Sequence, residues 1–309
     1  MLKEKENGNK VKIEGILSEI DLDYGSFQKN GAPMKTIKGV IKIRVRLMVK
    51  DTMNDLEIPV HLFASEMTNA GKKNPAFESI ERIKNEYVSI AASDEDRADR
   101  VRITNGSLKM NEYYVDGETL VSYPRIHASF VSKIKKEEMT PEASFTSIFV
   151  VGAIGPELDK EGVETGRYKV KGVLPQYGGK VDIFDFYAES EGVINAISSY
   201  WHEGDTVRAN GRLNFSSKTE THTVEVDFGE PTVQTRTINV SDLVLVGGSA
   251  SPLEGEFAYD TAEIQAAMTA RSKELAEKKE ESKNRSAART QAQSNVAPSP
   301  GLGLNNLGF

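Results

Sequence analysis

Apolar and polar residues alternate along much of the chain. Val11-Lys12-Ile13-Glu14-Gly15-Ile16 reads as a half-buried strand, and residues 38–49 put Ile41, Ile43, Val45, Leu47 and Val49 on one face. Residues 56–63 follow as another strand. Asn74-Pro75 then supplies a helix start, with Asn as cap and Pro at the first helical position, where its missing N–H costs nothing. Phe77, Ile80 and Ile83 give that helix an apolar side. Residues 87–92, 100–109 and 121–134 read as further strands.

The order repeats after a connector near 137–144. Strands are predicted over 147–154, 167–175 and 180–187, and a helix follows with Ser190 as cap. Val193, Ile194, Ile197, Tyr200 and Trp201 fall at helical spacing there, which makes Trp201 a core residue. Gly204 ends the helix. Residues 206–215, 223–237 and 240–246 then read as three strands. Two local matches suggest a duplication. Lys42 to Arg46 aligns with Arg167 to Lys171 at an offset of 125, and Leu62 to Glu66 aligns with Phe186 to Ser190 at an offset of 124. Three strands, one helix and two more strands is the order of an OB-fold. The expectation is a mainly β protein: two tandem OB-fold five-stranded barrels, 1–140 and 141–250, followed by a charged helix and disordered tail over 251–309.

Beyond Gly247-Gly248-Ser249 the pattern thins. Asp260-Thr261-Ala262-Glu263 resembles a capping box, and a charged helix is predicted to about Arg289. Ile264, Met268 and Leu275 form only a narrow stripe, so this segment is expected to be a flexible appendage, dispensable for stability. Residues 292–309 are rich in Ser, Pro, Gly and Asn and read as disordered.

Charge changes the picture unevenly. The net charge of −7 is poor for a polyanion binder, yet residues 1–140 carry +1, residues 141–250 carry −7 and residues 251–309 carry −1. The first barrel is therefore the better candidate for nucleic acid. With no cysteine, disulfides, thiolate metal sites and cysteine nucleophiles are excluded. No apolar run suits a membrane span, and the first residues lack a secretory apolar region; a cytoplasmic protein is expected.

The second repeat resembles the single-stranded DNA-binding proteins of the bacterial and phage SSB type. The likeness rests on Phe186-Tyr187-Ala188, the helix from Val193 to Trp201, and Gly204-Asp205-Thr206-Val207-Arg208-Ala209-Asn210-Gly211-Arg212-Leu213. It implies binding of single strands during replication, recombination or repair, with bases stacked on Phe63 and Tyr187. A Trp of that family is replaced here by Glu57 and Val181. The family's acidic C-terminal tip is absent, and only a terminal Phe309 is kept for docking partner proteins.

Lys42, Arg44 and Arg46 lie two apart, so in a strand they share one face, as do Arg167, Lys169 and Lys171. These cations are expected to track phosphates. Tyr24 and Phe27, with Tyr113 and Tyr114, are placed in loops where base stacking is the alternative to folding back over a barrel end. Catalysis finds little support. His61, His127, His202 and His222 lack metal-ligand spacing, Asp94-Glu95-Asp96 with Asp99 reads as a solvated turn, and Gly71-Lys72-Lys73 lacks the rest of a phosphate loop. No cofactor is expected. The competing expectation is a protein-assembly module, of a phage for example, using the same barrels without nucleic acid; DNA and RNA are not separated by these residues.

Overall fold

Val11, Ile13, Leu17 and Leu22 are buried along one strand, so the opening alternation extends into β1 (Asn9–Lys29). The computed structural model describes residues 2–29, 31–224 and 232–294. From β1 the chain turns into β2 (Ala32–Val49) and β3 (Thr52–Ser65), each antiparallel to the strand before it. Helix α1 (Pro75–Glu86) follows, with the Asn74 side chain accepting from the Ala76 amide and with Phe77, Ile80 and Ile83 buried. Next come β4 (Arg100–Val115), β5 (Thr119–Ala128) and a short β6 (Ser132–Ile134). Parallel pairing of β5 with β3 and antiparallel return of β4 to β1 close the order β1-β2-β3-β5-β4-β1.

The second half repeats this circuit. Strands β7 (Glu142–Leu158), β8 (Glu164–Gln176) and β9 (Lys180–Ala188) precede α2 (Glu191–Tyr200), then β10 (Thr206–Val224) and β11 (Thr232–Gly248). The order is β7-β8-β9-β11-β10-β7. Both halves are thus five-stranded OB barrels in tandem, as expected. Ser190 caps α2 by accepting from the Val193 amide. Trp201 is buried, edge-on to Phe149 at 6.0 Å, and donates through Nε1 to the Ser249 carbonyl at 2.9 Å.

The barrels are joined by main chain. Residues Asn9 to Glu14 of β1 pair antiparallel with Glu142 to Ser147 of β7. At this seam the Asn9 side chain both donates to and accepts from Leu108, at 2.9 and 2.8 Å, and Gln176 donates to the same Leu108 carbonyl at 3.1 Å. Buried polar groups of both barrels are satisfied by one another.

Gly15 lies where β1 bends between two partners, Arg44 on β2 and Val101 on β4. A Cβ there would stand 2.3 Å from the Arg44 carbonyl oxygen, a backbone atom with no room to retreat. Gly15→Ala is expected to lower stability by about 1–3 kcal/mol, measured as a reduced urea midpoint at constant m-value.

Three expectations are corrected. Residues 87–92 are not a strand: they form a turn and a short 3-10 helix (Ile90–Ala92), because Val88 trades hydrogen bonds with Asp99 and the Ala92 amide bonds back to Ser89. The described residues of 206–246 form two long strands, β10 and β11, rather than three. Tyr24, Phe27, Tyr113 and Tyr114 lie not in loops but in strand arms, cross-strand from Ile37, Met34, Val121 and Leu120.

The C-terminal segment is also more engaged than its sparse stripe implied. Helix α3 (Thr261–Ser294) begins with Asp260 accepting from the Glu263 amide. Tyr259, Ile264 and Ala267 are buried against Ile148, Val150, Val173 and Val181 of the second barrel. Farther along, Ser282 donates to the Tyr114 carbonyl and accepts from the Gly117 amide, both in the first barrel. Over its described residues the appendage is a strap across both barrels. Among the described residues, no helix is long and apolar enough to cross a membrane.

Candidate functional site

Strand alternation sends Lys42, Arg44 and Arg46 outward from β2 while Ile41, Ile43 and Val45 fill the core. The face is cationic in sequence but paired in space. Lys42 meets Glu19 of β1 at 2.5 Å, and that contact raises its pKa. Arg46 forks onto Glu95 at 2.7 and 2.8 Å, which raises the guanidinium's pKa and lowers that of the carboxyl. Arg44 sits between Asp55 at 3.8 Å and Glu95 at 3.7 Å.

The second run is compensated more heavily. Arg167 binds Glu157 at 2.6 Å and Asp242 at 2.8 Å, with Glu189 at 3.7 Å; Glu157 and then Asp242 raise its pKa. Lys169 and Lys171 share Asp185 at 3.6 and 3.2 Å. In three dimensions both basic faces are interleaved with carboxylates. Neighbouring strands and the turn at Glu95 supply carboxylates that a reading along one strand cannot see. The exposed pairs of Lys42, Arg46, Lys169 and Lys171 are worth about 0–1 kcal/mol each, so a phosphate can displace them, whereas those of Arg167 are largely sheltered from solvent.

The aromatics are arranged more suggestively. Phe63 on β3 is 57% exposed and lies opposite Lys38 of β2. Tyr187 on β9 lies opposite Lys169 of β8, with the Arg167 guanidinium 4.4 Å from its ring centre. Burial, with Asp185 nearby, pushes the Tyr187 hydroxyl up to about 12. If the two aromatics are equivalent, the partner of Lys169 in the first barrel is Lys38, not the Arg44 that the linear offset chose. The hairpin arms differ in length: β2 runs to a two-residue turn at Lys50-Asp51, whereas β8 and β9 turn through Tyr177-Gly178-Gly179.

Tyr24 donates to Glu81 of α1 at 2.8 Å, with the Lys35 ammonium 4.3 Å above its ring. Phe27 is 45% exposed nearer the tip of the same arm. Tyr113 is equally exposed on the β4–β5 arm, and beside it Tyr114 has the Lys279 ammonium of α3 5.8 Å from its ring. Phe309 lies outside the described residues.

One feature of this face has no linear signal. His61 of β3 and His127 of β5 stack with centroids 5.5 Å apart, because parallel β3–β5 pairing sets them side by side. Burial, then Lys109, His61 and Arg125, lowers the His127 pKa to about 4. Burial and Arg125 also lower that of His61. The carboxylates of 94–99 are each engaged: Asp94 by Arg97, Glu95 by Arg46, Asp96 by Lys136 and Asp99 by Lys133. Among the described residues, no cluster of three or more His, Asp or Glu side chains has metal-binding geometry.

No curated protein matches the chain. Among solved structures, wild-type single-stranded DNA binding protein from Thermus aquaticus is similar at 13% identity and a TM-score of 0.48, covering 80% of this chain and 94% of that one. A deletion mutant of the Thermus aquaticus protein gives 13% and 0.47, covering 80% and 95%. The model of the YorF family matches residues 7–282, which take in both barrels and most of the α3 strap. The chain belongs to the YorF family.

Proposed function

We propose that this protein binds single-stranded DNA on the outer faces of β2–β3 and β8–β9, in replication, recombination or repair. The observation that carries the reading is the repeated pair of an outward aromatic and a cross-strand lysine, Phe63 with Lys38 and Tyr187 with Lys169. An aromatic ring accepts any base on its face, and the lysine beside it meets the adjoining phosphate, so the pair recognises a strand without reading its sequence. Two units, 1–140 and 141–250, each contribute one such pair, and α3 ties them together.

Fluorescence titration with poly-dT, poly-rU and duplex DNA tests this. Poly-dT is expected to bind with a log–log salt slope of about −0.7 per phosphate neutralised, and far more tightly than duplex. The poly-rU arm separates DNA from RNA. Phe63→Ala and Tyr187→Ala are each expected to cost about 1–3 kcal/mol of binding. Affinity for duplex equal to that for poly-dT sinks the proposal. The second reading, a protein-assembly module, is favoured by the carboxylate pairing of both basic runs, and absence of binding to every polymer would select it.

A further inference from the structure

Three cations, Lys38 beside Phe63 and Lys109 and Arg125 beside His127, differ from those the sequence singled out. Among the described residues, no carboxylate lies within ion-pair distance of Lys38, Lys109 or Arg125. Acidic groups act on them only from farther away. Asp21 and Asp23 border the groove of Lys38, and Glu4 and Asp182 influence Lys109. Lys109 and Arg125 face each other across β4 and β5, and the Arg125 Nε is buried without a hydrogen-bond partner.

Strand β5 turns Tyr123, Arg125 and His127 to this side, while Ile126 and Ala128 are buried. Alternate residues of a strand stand roughly 6–7 Å apart, so the three form a regular row. Its members touch. The Arg125 guanidinium lies 5.1 Å from the Tyr123 ring centre and donates to its hydroxyl at 2.6 Å, and His127 stacks on His61. Each end of the row opens into a groove. His127 and His61 share one with Phe63 and Lys38; Tyr123 shares the other with Lys171, Tyr187 and Arg271.

From this continuity, and resting on the reading of single-strand binding above, we propose that one DNA strand crosses both barrels along a single track. It runs from Phe63 over the His61–His127 pair, along Arg125 and Tyr123, to Tyr187. Bases stack on the rings and on the planar guanidinium, and Lys38, Lys109 and Lys171 meet phosphates. The imidazoles are uncharged near pH 7, so they stack as flat rings without mutual repulsion, while Arg125 and Lys109 hold the local potential positive. The two faces are therefore subsites of one site.

Wild-type affinity for dT oligomers is expected to keep rising with length until one oligomer spans both barrels. Tyr123→Ala and Arg125→Ala are each expected to weaken binding of the spanning oligomer about tenfold. Photo-crosslinking the wild-type protein with iodouracil-substituted oligo-dT needs no variant, and it is expected to mark Tyr123 or His127 along with Phe63 and Tyr187. Failure of the wild type to bind oligo-dT overturns this track together with the reading beneath it. Normal binding with adducts at Phe63 and Tyr187 alone, and no loss from folded Tyr123 and Arg125 variants, overturns the track and leaves that reading standing.

Discussion

Truncation after Ser249 is expected to lower the melting temperature by roughly 10 °C and to make the remaining barrels prone to aggregate. The cut removes Tyr259, Ile264 and Ala267, which cover Ile148, Val150, Val173 and Val181. Burying a large apolar side chain is worth about 1.5–3 kcal/mol, so Tyr259 and Ile264 alone contribute about 4 kcal/mol. Polar ties go with them. The Tyr259 amide donates to Thr206 Oγ1 at 3.0 Å, the Leu253 amide to the Thr206 carbonyl at 2.7 Å, and the Lys5 amide to the Tyr259 hydroxyl at 3.2 Å. Burial raises the Tyr259 hydroxyl to about 12, in keeping with a ring sealed into this contact. Differential scanning calorimetry of the full chain against residues 1–249 measures the effect. An unchanged melting temperature would show that the strap's contacts are offset by the entropy of ordering it.

How much was legible depends on whether the signal was local. Alternation at Ile41, Ile43 and Val45, the Asn74-Pro75 and Ser190 caps, and the Trp201 anchor depend on residues close in sequence, and each stands in the structure as read. Residues 87–92 misled because the apolar Tyr87, Val88 and Ile90 suggest a strand, yet Asp99 and Ser89 take up the hydrogen bonds a strand partner would have made. The carboxylates that meet Lys42 and Arg46 come from β1 and from the turn at Glu95, so they are invisible along β2. The His61–His127 stack needs β3 and β5 to be parallel neighbours, a property of topology rather than of spacing. Helix α3 shows the same limit. Its stripe is too thin to specify a partner, but Ile264, Ala267 and Met268 gather on one apolar patch of the second barrel.

Arg271→Ala is expected to destabilise the protein by about 3 kcal/mol, the largest effect of any single charge removal on α3. Arg271 pairs with Glu112 of β4, and the side chains are only 16% and 9% exposed. Removing the guanidinium leaves Glu112 a poorly solvated charge with only the Ser122 hydroxyl donating to it, at 3.3 Å, and the cost of that stranded carboxylate exceeds the value of the pair itself. The neighbourhood sharpens the penalty. Asp182 of β9, its pKa raised mainly by burial, accepts from the Met110 amide at 2.9 Å, so a second carboxylate faces the same seam. A double-mutant cycle separates the two contributions. Arg271→Met combined with Glu112→Leu removes both charges and refills the space with apolar atoms, and it is expected to recover most of the stability lost in Arg271→Ala. Urea denaturation of the singles and the double, at fixed pH and salt, reads this directly. If the double variant is as unstable as Arg271→Ala, the ion pair itself, and not an unpaired Glu112, holds α3 to the first barrel.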